Sequence, residues 1–334
     1  MRQAMPPRLP WRPPFAAAVL RPRRLPSPTA DSMTANVSPR RLLPLLLSSL
    51  LLAAAAAFAN DSSIGDANGS IELIRQPDIR MSKEDLFISE ERVQVDYVFT
   101  NTSTRELLVP IAFPMPPMYF GMADHSALTD FRLWVDGKPV RTERKLVAKL
   151  DGSDISRAWA ASGWTPDDLA EYVEGGTVPA GRKPLPARWF DTDGQPRFTL
   201  SEYFVWQQRF PAGGTVAIRH SYVPSVATGV PMPASDLIGE YAKSTCLDAA
   251  TQQRLRRRAG ANGLQWSNLR YVLRTGANWK GPIQDFHLTL KKRAPGDLLS
   301  LCFDGDLQRT DALTFEFRQR DFVPDRDLDI LFLR

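Results

Sequence analysis

Few residues in this chain are equipped for acid–base or nucleophilic chemistry, and the three histidines, His125, His220 and His287, are the first to weigh. His220 recurs at period two with Val216, Ile218 and Tyr222, which puts it on the apolar face of a strand. A histidine there reads as a partly buried, hydrogen-bonded core group in preference to a general base. His287 alternates with Phe286 and Leu288 and reads as solvated. A Ser–His–Asp arrangement around His220, making the protein a periplasmic hydrolase, stays open as a rival because triads assemble in space and not in sequence. No G-x-S-x-G, H-E-x-x-H, P-loop or G-x-G-x-x-G pattern occurs.

Soft ligands are more concentrated. PMPPMYFGMADH places Met115, Met118, Met122 and His125 close together, a donor set suited to Cu(I). The competing and preferred account is that these methionines pack a proline-rich loop onto the core, and no cofactor is expected. Hard ligands gather near the end of the chain as Asp304, Asp306, Asp321, Asp325, Asp327 and Asp329. Calcium needs oxygens converging from a turning loop. The last three acids instead leave one face of an expected strand, so a solvated edge is favoured. Trp279, flanked by Asn278 and Lys280 between Gly276 and Gly281, is a candidate ligand or partner contact if exposed. A turn tryptophan more often folds back over the sheet edge and donates its N–H to a carbonyl. Four arginines, Arg254 and Arg256 to Arg258, suit the negative end of a helix dipole better than a site for an acidic partner.

The elements that must position these residues are mostly strands. Val93, Val95, Tyr97 and Phe99 alternate with polar residues, and Leu107, Val109, Ile111 and Phe113 follow after the turn Asn101 to Thr104. Phe131, Leu133 and Val135 run into Asp136-Gly137, a hairpin signal, with 140–150 as the returning strand. Residues 198–210 and 215–223 read as a pair around Pro211-Ala-Gly-Gly214, and 269–273 and 286–290 as a second hairpin carrying Trp279. Strands over 298–303, 313–317 and 328–333 complete the set, the last apolar on both faces and therefore central in its sheet. Thr165-Pro166-Asp167-Asp168 is a helix start, and Ser244-Thr245 opens a second helix running to about Arg258. The fold expected is mainly β: an antiparallel β-sandwich, one large or two packed sheet units, with two short helices and an internal boundary near 224–235.

Charge and the leader bound the compartment. Residues 1–59 carry eight arginines and one acid, leaving 34 basic against 36 acidic residues from Asn60 on, a net of −2. A nucleic-acid partner is therefore not expected, although the whole chain is net +5. Arg40-Arg41, an apolar run to Ala57 and Ala57-Phe58-Ala59 describe a signal peptide over 33–59, with Asn60 starting the exported chain and no transmembrane anchor left after cleavage. Residues 1–32, rich in Arg and Pro, read as a misplaced translation start or a disordered extension. Periplasmic or secreted location follows, and in such an oxidising compartment Cys246 and Cys302 are expected to bridge.

Several stretches are distinctive enough to carry a resemblance: NDSS at the start of the exported part, FPMP, HSYVPSVATG, TGANWKGPI, LCFDGD and DFVPDRDLDILFL. Together they resemble the bacterial domain-of-unknown-function 4424 family from about Asn60 to Arg334. That resemblance implies an exported protein and no particular activity. Over about thirty residues, FPMP to VDGK also resembles the β-sandwich module of vault and inter-α-trypsin inhibitor proteins, which implies interaction rather than catalysis. The expectation is thus a non-enzymatic binding or assembly module of the cell envelope, whose partner is an envelope protein or ligand.

Overall fold

The computed structural model describes residues 62–334 apart from 68–69, 119, 121–123, 126–127 and 261, and for 62–74 and 124–125 the backbone alone. Residues 1–61, and with them the expected leader and signal peptide, lie outside the described residues. Three sheets form among the described residues. The largest has eight strands, in the order Gln308–Arg309, Thr314–Phe322, Ile283–Lys291, Ile79–Ser89, Val93–Asn101, Thr215–Val223, Thr129–Val135 and Lys138–Val140. A six-stranded sheet runs Ser153–Asp154, Glu143–Leu150, Phe198–Phe210, Leu107–Pro114, Ser62–Ala67 and Ser70–Ile74. A five-stranded sheet runs Leu298–Leu301, Leu328–Leu333, Trp266–Tyr271, Ala227–Thr228 and Asp124–His125. Pairing is antiparallel except between Ile79–Ser89 and Ile283–Lys291, which lie parallel with Leu86 beside Leu288.

The main core is the space between the large sheet and the two smaller ones. Strict alternation in Val93–Asn101 buries Val93, Val95, Tyr97 and Phe99. Facing residues come from the six-stranded sheet (Ile111, Phe113, Phe204, Trp206) and from the five-stranded sheet (Leu269, Tyr271, Leu328, Ile330, Phe332). This is a sandwich in which one sheet is faced by two.

Each smaller sheet has its own helical cover, so four helices replace the two expected. Ser156–Ser162 and Pro166–Gly175 pack Trp159 and Leu169, joined by Trp164 from the turn between them and Trp189 from the 3-10 turn Ala187–Trp189, onto Ala148, Phe198 and Leu200 of the six-stranded sheet. These sheet residues share a face with Phe204 and Trp206, so the helices continue the layer occupied by the large sheet. Pro166–Gly175 starts as the sequence reads, with Thr165 Oγ1 accepting from the Asp168 N–H and the Asp168 carboxylate accepting from the Thr165 N–H. Ala234–Tyr241 and Ala249–Arg258 instead cover the outer face of the five-stranded sheet, Leu237 and Leu255 meeting Trp266, Leu331 and Leu333. The second of these begins later than Ser244, because Asp248 is the residue whose carboxylate accepts from the Thr251 N–H (2.5 Å). Cys246, in the turn before it, is bonded to Cys302 after the edge strand Leu298–Leu301, which ties this cover to its sheet.

Two expected hairpins are corrected. Phe198–Phe210 and Thr215–Val223 are not partners: the first belongs to the six-stranded sheet and the second to the large one. Their connection at Pro211–Gly214 lies beside Asn101–Thr104, which makes the same passage between the same sheets. Gly213 donates to the Ser103 carbonyl and Asn101 donates to the Gly214 carbonyl, both at 3.0 Å. The buried Asn101 amide seals the corner by donating to the Arg105 and Phe210 carbonyls. Trp266–Tyr271 and Ile283–Lys291 likewise sit in different sheets. The Asp136-Gly137 hairpin does form, with φ of +48° and +75° as a type I′ turn requires. Its returning strand stays only for Lys138–Val140 before Glu143–Leu150 crosses to the six-stranded sheet.

Candidate functional site

The crossing that carries Trp279 is a plug. The indole is 1% exposed, 4.6 Å from the Phe99 ring and 6.5 Å from the Phe210 ring. Its neighbours stitch the crossing to the start of Ile79–Ser89: Lys280 donates to the Ile79 carbonyl (2.8 Å), and the Asn278 carbonyl accepts from Gln76 (2.7 Å). Trp279 is therefore corrected as a ligand contact, because the apolar burial of its ring, worth roughly 1.5–3 kcal/mol or more, draws it inward. Lys280 remains exposed, with Nζ donating to Thr102 Oγ1 (2.8 Å).

His220 is fully buried, with the rings of Phe113, Phe131, Trp206 and Tyr97 all within 5.6 Å. Burial pushes its imidazole down to about 3, so it stays neutral at physiological pH. A substrate has no route to it, and the triad centred on it is set aside. His287 is half-buried on the outer face of the large sheet, Nδ1 3.1 Å from Asp85 and Nε2 3.6 Å from Glu316, rather than simply solvated.

The soft-metal residues are only partly visible. Met115 is buried in the main core, whereas Met118 packs against the tryptophan cluster of the six-stranded sheet. These two thioethers are placed as packing residues in separate clusters, against a common copper site. Met122 and the side chain of His125 lie outside the described residues. Of the late acids, Asp327 accepts from the backbone N–H groups of Leu273 (3.1 Å) and Arg274 (3.2 Å), and burial raises its pKa. Asp329 accepts from the Asn268 amide (2.6 Å). Among the described residues no group of three or more His, Cys, Asp or Glu could hold a metal ion.

What the sequence reading missed is where LCFDGD and DFVPDRD meet. They wall a cleft of about 230 Å³ at an open edge of the sandwich, with Leu273, Phe303, Gly305, Phe322 and Val323 as its apolar lining. The rings are held from behind. Phe322 stacks on Phe286 at 4.3 Å, and Phe303 meets Phe317 edge-on at 4.8 Å. Gly305 is required here: a Cβ would stand 2.3 Å from the Phe317 ring and 2.4 Å from the Phe303 ring. Val323 is 61% exposed, an uncommon state for a large apolar side chain beside a cleft.

The rim is charged and internally paired. Arg326 bonds Asp304 through Nη2 (2.5 Å) and Asp325 through Nε (3.2 Å), with Gln319 alongside. The hydrogen bond from Arg326 holds the Asp325 carboxyl below its ordinary value. Two carboxylates on one guanidinium leave the rim net negative. Such a cleft can take an apolar or aromatic group into its floor while a polar or cationic end meets the rim. A wider hollow of about 370 Å³ lies along one edge hairpin, between Phe131, Trp134, Val140 and Arg141, and is built from a single local stretch.

Family matching covers residues 59–331, by a family described as a domain of unknown function (DUF4424). No curated protein matches the chain. A solved structure from Legionella pneumophila, described as a "putative nutrient binding protein", is similar at 17% identity and a TM-score of 0.44, over 83% of this chain and 70% of that one. An M1 zinc metallopeptidase from Deinococcus radiodurans aligns at 12% identity with a TM-score of 0.27, over 78% of this chain and 43% of that one. Yeast LTA4 hydrolase aligns at 8% identity and a TM-score of 0.27, over 77% and 29%. Among the described residues, no helix is long and apolar enough to cross a membrane.

Proposed function

The chain belongs to the DUF4424 family, and from that premise we propose that it is an exported, non-enzymatic binding protein of the cell envelope whose ligand or partner enters the Phe303–Val323 cleft. The observation that carries this reading is the convergence of LCFDGD and DFVPDRD, two segments that flank the strand Thr314–Phe322, into one apolar cleft with a charged rim. Binding suits such a lining, since apolar burial supplies affinity and the rim supplies orientation. Catalysis draws no support from it, because both carboxylates at the rim are committed to Arg326 and His220 is locked in the core. Export to the periplasm, or secretion, is supported by Arg40-Arg41, the apolar run and Ala57-Phe58-Ala59. The Cys246–Cys302 bond agrees with an oxidising compartment.

A photo-crosslinking residue placed at Val323 in living cells tests both halves of this reading. The expected result is a discrete adduct in the periplasmic or secreted fraction, on protein beginning at Asn60, abolished by Gly305→Leu. An adduct unaffected by Gly305→Leu in a variant of unchanged melting temperature would remove the cleft as the binding site. Protein retained in the cytoplasm with its leader intact would remove export.

A further inference from the structure

A second surface stands apart from the cleft. The last turn of Ala249–Arg258 carries Arg256, Arg257 and Arg258, all exposed. One or two cations there would satisfy the helix dipole, and the sequence alone offers no other reason for three. The fold supplies one, because it brings cations from two other segments to the same corner. Arg258 lies over the turn 293–296, its Nη2 3.4 Å from where a Cβ on Gly296 would sit. Immediately before that turn are Lys291, exposed, and Lys292, whose buried Nζ donates to the carbonyls of Pro295 (3.1 Å) and Asp297 (2.8 Å). Arg309 joins from the adjoining edge strand, where Lys292 N–H donates to the Leu313 carbonyl and Arg309 folds over the same loop to reach Asp311 and Ala312 carbonyls.

Gathering like charges costs energy. Lys292 registers it: its pKa is lowered by burial first, then by Arg309 and Arg258, with Asp297 opposing. The nearby acids are already engaged. Asp297 pairs with Arg334 at 3.7 Å, Glu91 with Arg293 at 3.6 Å, and Asp311 accepts from the backbone of Leu313 and Thr314. An external anion would offset the repulsion that these groups leave.

We propose that this corner is an electrostatic docking surface for an anionic lipid bilayer, met by Arg257, Arg258, Lys291 and Arg309. Two observations favour a bilayer over a small free anion. The exposed cations come from three segments instead of converging on one buried seat, which suits many phosphates in a plane. The turn between them, Ala294-Pro295-Gly296, is exposed, small and uncharged, so it can approach headgroups closely. The rest of the exported part is net negative once these cations are set aside, so the corner would also orient the molecule on the surface.

Vesicle co-sedimentation of the full chain tests the proposal, comparing vesicles with about one-third phosphatidylglycerol in phosphatidylcholine against phosphatidylcholine alone. The expected result is binding to the acidic vesicles only, at ~50 mM salt, lost by ~500 mM as screening shortens. Arg257→Glu, Arg258→Glu and Arg309→Glu together should weaken it by about tenfold or more. Lys138→Glu with Arg141→Glu, at the opposite edge of the large sheet, should leave it unchanged. All variants share the same leader, so its arginines cancel. Arg256→Gln with Arg257→Gln, both exposed, gives a milder loss if the triple variant fails to fold. Equal binding by wild type and the Arg257 variants overturns the proposal. Full displacement by millimolar inorganic phosphate, or by an acidic peptide at matched charge, would also overturn it in favour of a free-anion or protein site.

Discussion

The two smaller sheets solve the same problem with different materials. Both close one half of the main core, and both need a helical cover. The six-stranded sheet is covered by a segment of helices and turns rich in large aromatic groups, with Trp159 and Trp189 against Phe198 and Trp164 against Tyr172. The five-stranded sheet is covered by smaller side chains: Ala234 and Leu237 from one helix, Thr251 and Leu255 from the other. That second cover carries the disulfide. The difference teaches that the bridge substitutes for apolar area, and that the two halves should fail under different insults.

Removing a tryptophan is the strongest test. Trp189→Ala should cost about 3–5 kcal/mol, read by chemical denaturation, because the indole is buried among rings that cannot collapse into the gap. The same melt in reductant should shift further only by the separate contribution of the disulfide. A loss under 1 kcal/mol would show that the tryptophan cover is not what holds that half.

Removing the bridge comes next. Cys246→Ser with Cys302→Ser opens a link 56 residues apart in sequence, worth at most roughly 4 kcal/mol on a chain-entropy account. Hydrogen exchange should then rise first in 234–258 and 298–301, while the tryptophan cover keeps its protection. Uniform loss in both covers would break the comparison.

Smallest per pH unit is a proton-linked effect in the aromatic half, where His220 sits beside Phe113 and Trp206. Unfolded histidine takes its proton near 6.5, whereas the buried one holds off until about 3. Between those values the unfolded state binds more protons, so stability falls as pH falls, by no more than ~1.4 kcal/mol per pH unit. His220→Leu should flatten that slope above pH 4. An unchanged slope would mean that another group carries it.

Much of this architecture was legible because side-chain alternation reports which face of a strand is buried. It correctly marked Val93 to Phe99, the central last strand and His220 as a core residue. Alternation does not report which strand lies alongside. Pro211–Gly214 has the composition of a hairpin turn, yet a corner between sheets needs the same tight, glycine-permitted backbone, with Gly213 at φ +62°. The bond that distinguishes them comes from Ser103, more than a hundred residues earlier. The cleft was hidden for a related reason. Its acids were noticed as a row, but Arg326, which collects Asp304 and Asp325 from two segments, gives no periodic signal.

The one parallel pair has a consequence for how the molecule comes into being. Ile79–Ser89 takes its place beside Ile283–Lys291, so an early strand waits about two hundred residues for its neighbour. The last strand, Leu328–Leu333, sits inside its sheet and not at the rim. The large sheet and the five-stranded sheet therefore each draw on strands beyond residue 282 before their strand order is complete. Contacts this distant in sequence are slow to form, and meanwhile the edge of Ile79–Ser89 is open to foreign strands.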